Sequence, residues 1–178
     1  TALIDVEITR HERAIRSARH AMSTTRYLQL LDRLDALIAS PVPGPDADRR
    51  ARTVADEGIA SAVKRLRKAE QKLATMEPWS PEWVEQVHRI RKRAKAVRYT
   101  AGVVHEVNDR AARKTAKSAT RIQSLLGDFQ DTVVNRTQLQ RVAQVPDLPP
   151  LAVFILGRLD EREEARGRAA VEAYLRTR

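Results

Sequence analysis

All eight prolines of this chain fall in three short stretches, S-P-V-P-G-P-D (Ser40–Asp46), E-P-W-S-P (Glu77–Pro81) and V-P-D-L-P-P (Val145–Pro150), and this clustering constrains the fold more than any other feature. Proline lacks an amide hydrogen and clashes with the preceding helical turn, so each cluster reads as a loop and the intervals between them are free to be long helices. The intervals predict a first segment to about Ala39, then helices from about Asp48 to Met76, from Pro81 to about Glu106, from about Asp109 to Val142, and from Leu151 to about Leu175. The first segment is expected to break near Met22–Thr25, where Ser23, Thr24 and Thr25 offer a cap for a helix carrying Tyr27, Leu30, Leu31, Leu34 and Ile38. Ser80 followed by Pro81 makes an N-cap and N1 pair, because the hydroxyl accepts an orphan N–H and proline has none to satisfy. Asp46 or Asp48 is expected to cap the preceding helix in the same manner. With 42% apolar residues, 31% charged residues and only 6 glycines, the composition is that of an all-helical protein. Short connections between amphipathic helices favour antiparallel neighbours, so the expected fold is an all-α, antiparallel up-and-down bundle, a single domain over residues 1–178. No period of roughly 20 to 50 residues suggests a solenoid.

One of these helices carries H-R-I-R-K-R-A-K-A-V-R-Y, from His88 to Tyr99. At about 100° per residue, His88, Arg91, Lys92, Lys95, Arg98 and Tyr99 fall within an arc of roughly 120°, while Ile90, Ala94, Val97 and Ala101 gather on another side. One side is built for burial and the other for anions. A run of charge on a helix is most often a solvated face, and such faces usually intersperse glutamate with lysine at i to i+4. From Val87 to Ala101 there is no carboxylate. Like charges three and four apart each cost a few tenths of a kcal/mol, which is a standing penalty without a ligand. On the next helix Arg110, Arg113, Lys114, Lys117 and Arg121 line a face about 100° wide, and two such stripes on antiparallel neighbours would merge into one trough about 20 Å long. Weaker contributions come from Lys64, Arg65, Arg67, Lys68 and Lys72, and from Arg10, Arg13, Arg16 and Arg19.

The formal charge of +10 points to a polyanionic ligand: nucleic acid, an anionic membrane or a phosphate polymer. Arginine offers a planar fork to two phosphate oxygens, lysine a mobile point charge and tyrosine a neutral donor. Histidine adds a donor that charges near neutral pH, so binding is expected to tighten below about pH 7. Only 4% of residues are aromatic, and Trp79, Trp83, Phe129 and Phe154 sit where a core can claim them, which argues against a reader that stacks bases on exposed rings. Zero cysteines exclude disulfides and thiolate chemistry and fit a cytoplasmic setting. No apolar run approaches the roughly 20 residues of a membrane span.

A metal site is not expected. The only histidines are His11, His20, His88 and His105; the first two lie nine residues apart, too far along a helix to share an ion, and no H-x-x-x-H or H-E-x-x-H occurs. There is no phosphate-binding glycine loop and no nucleophile elbow. Asp128 and Asp131, in L-L-G-D-F-Q-D, read as carboxylates that hold basic side chains of the neighbouring helix or satisfy backbone donors near Gly127. Neither a catalytic residue nor a cofactor is expected.

H-R-I-R-K-R-A-K-A-V-R-Y, followed by I-Q-S-L-L-G-D-F-Q-D-T-V-V, is similar to the signature of the conserved histidine α-helical domain, the CHAD family. S-T-T-R-Y-L-Q-L-L-D-R-L and F-I-L-G-R-L resemble further segments of that family, so the likeness extends over nearly the whole chain. The resemblance implies a helical domain of two pseudo-symmetric bundles around a basic cavity that binds inorganic polyphosphate without catalysis, in the cytoplasm or on polyphosphate granules. It gives His88, Arg91, Lys92, Lys95, Arg98 and Tyr99 the ligand-facing role; Lys114, Lys117 and Arg121 rest on the stripe. Members usually carry two copies of the histidine helix and this chain shows one, so it is expected to be the C-terminal half, with a missing N-terminal half or a homodimer supplying the second face. The runner-up is a helical protein that binds nucleic acid nonspecifically. A phosphate-processing enzyme, or an accessory domain beside one, is third, disfavoured by the lack of acidic metal ligands.

Overall fold

The computed structural model describes residues 2–105 and 110–177, and the side chains of all of these except 2–4, 6, 104 and 105. Glu106 and Asp109, the expected limits of two helices, and the side chain of His105 therefore lie outside the described residues. Among the described residues there are six helices and no strand: α1 (Ala2–Met22), α2 (Thr25–Ala39), α3 (Ala51–Leu73), α4 (Pro81–His105), α5 (Arg110–Val142) and α6 (Pro150–Leu175). The three proline clusters fall at the junctions of α2 with α3, α3 with α4 and α5 with α6, as expected. Ser80 accepts from the amide of Trp83 at 3.2 Å, and Thr24 from that of Tyr27 at 3.3 Å, so both of these caps form.

The cap expected from Asp46 or Asp48 does not. Residues around Ala47 are drawn into a turn by the bond from its amide to the Gly44 carbonyl at 3.0 Å, and α3 starts later, with Arg50 at an N-cap that lacks a side-chain bond. The helix start is instead tied from outside by Arg49, whose guanidinium meets Glu57 at 2.6 Å.

Two compact units divide the chain, Thr1–Asp48 and Arg49–Arg178. The first holds α1 and α2, joined by a tight turn in which Ser23 donates to the Arg19 and His20 carbonyls. No residue of α2 is buried, and Leu30, Leu31, Leu34 and Ile38 are all exposed.

The second unit is a run of antiparallel neighbours, α3 against α4, α4 against α5 and α5 against α6. Its register is fixed by polar contacts. Gln86 on α4 donates to the Ala69 carbonyl of α3 at 2.8 Å, Arg136 on α5 grips Asp160 of α6 through two bonds of 3.0 Å, and Tyr174 near the end of α6 reaches back to Glu70 of α3 at 2.8 Å. The core lies between these helices. On α4, Trp83, Val87, Ile90, Ala94, Val97 and Ala101 are all buried, an alternation of four and three residues that keeps one seam turned inward. Burying each of the larger of these side chains contributes about 1.5–3 kcal/mol, which is how a helix so rich in cations is held in place.

Trp83 and Phe129 join the core, whereas two other aromatics expected there do not. Trp79 is 48% exposed and stands at φ 69°, a left-handed conformation that side chains rarely adopt. Its ring leans on Trp83 at 5.0 Å, with the Arg168 guanidinium 5.9 Å away, so the strained turn gains an aromatic contact. Phe154 is 65% exposed because α6 buries its C-terminal half, through Gly167, Val171 and Tyr174, and leaves its N-terminal half outside.

Candidate anion-binding face

The geometry of α4 follows from which flanks it buries. Its α3 flank is marked by Gln86 and by Thr100, whose methyl lies beside Gly58. Its α5 flank is marked by His88, whose Nδ1 is 2.9 Å from Gln130 Oε1, and by Arg91, whose guanidinium lies along Gly127. His88, Arg91 and Arg98 are half-buried along that α5 flank, while Lys92, Lys95 and Tyr99 are exposed. The six residues of the expected arc are thus brought together in two rows, one anchored in the seam and one reaching into solvent.

The anchored row is stiff. The Nε atoms of Arg91 and Arg98 are buried and have no hydrogen-bond partner among the described residues, and neither has Gln123 Oε1 on α5. Burying such groups costs free energy that surface arginines avoid, and it fixes where the two forks point. The outer row is organised by Tyr99: its ring has the Arg98 guanidinium 4.5 Å from its centroid and the Lys95 ammonium at 5.6 Å. Each such contact is worth about 0.5–1 kcal/mol at an exposed site, enough to bias the rotamers of two cations that repel each other.

No carboxylate relieves this repulsion within the arc. The nearest on α4 is Glu85, which binds Arg89 at 2.6 Å. The hydrogen bond and charge of Arg89 hold the Glu85 carboxyl below its ordinary range, with smaller help from Lys92 and His88. Among the described residues, Arg91, Lys92, Lys95 and Arg98 make no ion pair. Asp128 and Asp131 are exposed and likewise make none, so they do not hold the basic side chains of α4 as the sequence reading expected.

The α5 stripe is placed differently from the trough expected of it. With His88 at Gln130 and Arg91 at Gly127, Lys95 comes level with Gln123, and Lys117 and Arg121 come level with Val97–Ala101. Arg121 and Lys117 therefore lie at the level of the Arg98–Tyr99 end of the arc, and do not come opposite His88. Lys114 turns the other way, into a cavity of about 400 Å³ between α3, α4 and α5 that Arg67, Glu70 and Val97 also line. By the helical repeat it lies about 140° round α5 from Gly127, whereas Arg113 lies about 40° from it. Of the stripe, Arg113 is thus the cation turned most toward the α4 seam, and Gln123 and Gln130 are polar groups of α5 on that side; the sequence placed Arg113 in the stripe but singled out neither glutamine for the site. Their signal was available as the polar flank of an otherwise buried α5 side. His11 and His20 lie on α1 and are not joined to any metal-binding group: no cluster of three or more histidine, cysteine or carboxylate side chains suited to a metal ion occurs among the described residues.

No solved structure matches the chain. Two uncharacterized proteins of Mycobacterium tuberculosis, MT2285 and Rv2226, are each 34% identical to it over 179 aligned residues, covering 98% of this chain and 33% of theirs. The chain therefore spans about a third of the length of these curated relatives. The model of the CHAD domain matches residues 2–140, which takes in α1 to α4 and nearly all of α5 and so includes the whole basic face. On that match, this chain belongs to the CHAD domain family.

Proposed function

We propose that the α4 face holds inorganic polyphosphate, as a binding module without catalysis of its own, in the cytoplasm. The observation that carries this reading is the row of Arg91, Lys92, Lys95 and Arg98, four cations within eight residues that no described carboxylate neutralises. At about 1.5 Å per residue the arc from His88 to Tyr99 is some 16 Å long, so its natural ligand is an extended chain of repeated negative charge, not a single small anion. Two preset guanidinium forks and two mobile ammonium groups suit a polymer in which every unit carries charge. Tyr99 favours the same class over single-stranded nucleic acid, since its ring is already engaged by Arg98 and offers less to a base. The partner is proposed to be polyphosphate or a similar polyanion, with no membrane contact, and a second basic face from another half or another copy would lengthen the contact.

Competition tests this choice. Long-chain polyphosphate is expected to displace duplex DNA from the protein at physiological salt, and displacement in the opposite sense refutes it. Lys95→Glu replaces one attraction by one repulsion at the centre of the face; each is roughly 0.8 kcal/mol at about 5 Å in a water-like dielectric, together a little over tenfold in affinity. An unchanged affinity with helix content preserved places the site elsewhere. Phosphate release with magnesium present tests the absence of catalysis.

A further inference from the structure

We infer that Gln130 is a positioning residue that fixes the tautomer of His88, so that a phosphate chain binding this face brings one proton with it onto His88 Nε2. The inference rests on the polyphosphate reading and adds a mechanism to it. Gln130 Oε1 faces His88 Nδ1 at 2.9 Å, and an amide oxygen can only accept, so the ring hydrogen sits on Nδ1. In the neutral ring the opposite nitrogen, Nε2, then carries a lone pair, which repels a phosphate oxygen. A proton taken from solvent turns Nε2 into a charged donor and leaves the bond to Gln130 intact.

The surroundings couple that proton to the ligand. On α4, Arg91 and Lys92 lie three and four residues further on, and Arg89, paired to Glu85, adjoins the ring; from α5, Asp131 stands next to Gln130 and Asp128 next to Gly127. The α3 contacts are on the other flank, at Gln86 and Thr100, and from the α6 side Glu164 and Arg168, with Arg136 of α5, line a pocket with Val84, one turn before His88. A polyanion laid along Arg91, Lys92 and Lys95 brings phosphate oxygens toward Nε2 and favours the charged ring, and the proton returns to solvent when the ligand leaves.

The test is calorimetric titration of the chain with polyphosphate of one defined length between pH 6 and pH 8, at fixed ionic strength, in buffers of different ionisation heat. The wild type is expected to take up a proton on binding and to lose affinity by up to about tenfold per pH unit above the histidine range. His88→Gln retains only the response due to the ligand's own terminal groups. Gln130→Leu frees the ring to carry its hydrogen on Nε2 while neutral, so the pH response shrinks and affinity at pH 8 equals or exceeds that of the wild type. Gln130→Glu keeps the hydrogen on Nδ1 and favours the charged ring, moving the response to higher pH. A Gln130→Leu affinity reduced equally at every pH overturns the inference, since that is what a packing role alone produces. A wild type that binds with the pH response of His88→Gln also overturns it, leaving the polyphosphate reading standing; a wild type that binds at neither pH overturns both.

Discussion

Gly167 on α6 looks like a place where alanine would stabilise a helix, and the packing reverses that sign. Alanine is favoured over glycine inside a helix by about 1 kcal/mol. Gly167 is buried, however, and a Cβ there would stand 2.7 Å from Thr132 Oγ1, with Phe129 Cδ2 at 3.5 Å. Thr132 is 2% exposed and its hydroxyl donates to the Phe129 carbonyl at 2.7 Å, so it has little room to yield. Rotating it away forfeits that bond, about 1 kcal/mol, and pushing α6 outward strains the core by about 1–3 kcal/mol. Gly167→Ala is therefore expected to destabilise the protein by about 1–2 kcal/mol, seen in urea unfolding followed by helical circular dichroism as a midpoint lower by roughly 0.5–1 M. In a Thr132→Ala background the obstacle is gone, and the same substitution should become neutral or stabilising. If Gly167→Ala stabilises the wild type, or costs as much with Thr132 as without it, the close approach of α5 and α6 at this point is not what limits the position.

Two further outcomes test the second unit. Tyr174→Phe removes the donor that closes α6 onto Glu70 of α3 and should cost about 1–2 kcal/mol in the same unfolding assay while leaving helix content intact. Glu163 is held below the ordinary carboxylate range, first by the Asn135 amide and then by Arg166, against burial that raises it. A depressed carboxylate contributes stability above its unfolded value, near pH 4.3, and loses it as the pH falls through its folded value. Glu163→Gln should therefore narrow the gap in stability between pH 7 and pH 3, and an unaltered acid limb would remove Glu163 from that account.

The helices were legible from the sequence wherever a residue with no alternative marked their ends. Ser80 and Pro81 can begin a helix and can hardly continue one, and Thr24 stops α1 by capping α2, so those limits fall where they were expected. Asp46 and Asp48 were equally good caps by residue type, but three prolines and Gly44 just before them commit the backbone to a turn, and the helix begins beyond their reach. The α4 arc was legible because the buried set, Ile90, Ala94, Val97 and Ala101, is purely apolar and fixes the helix rotation by itself. The α5 stripe was not, since its use depends on which neighbour each edge of α5 overlooks. Lys114 and Arg113 are adjacent and about 100° apart round the helix, so Lys114 lines the cavity beside α3 while Arg113 turns nearer the α4 seam, a distinction set by the pairing of Gln130 and Gly127 with α4 and not by charge periodicity. Trp79 and Phe154 show the remaining limit: hydrophobicity predicts a wish for burial, and the turn geometry and the end of a helix decide whether a place exists.

The uncompensated cations of α4, pinned by a buried seam they cannot leave, make ionic strength act on this protein in two opposed directions. Raising the salt concentration screens arginine from lysine and should raise the melting temperature of the empty protein, while the same ions compete for the face and weaken its hold on a polyanion. A ligand restores by neutralisation what salt supplies by screening, so the gain in melting temperature on adding polyphosphate should be greatest in dilute buffer and fade as salt rises. The fold and its ligand are thus alternative answers to one electrostatic problem.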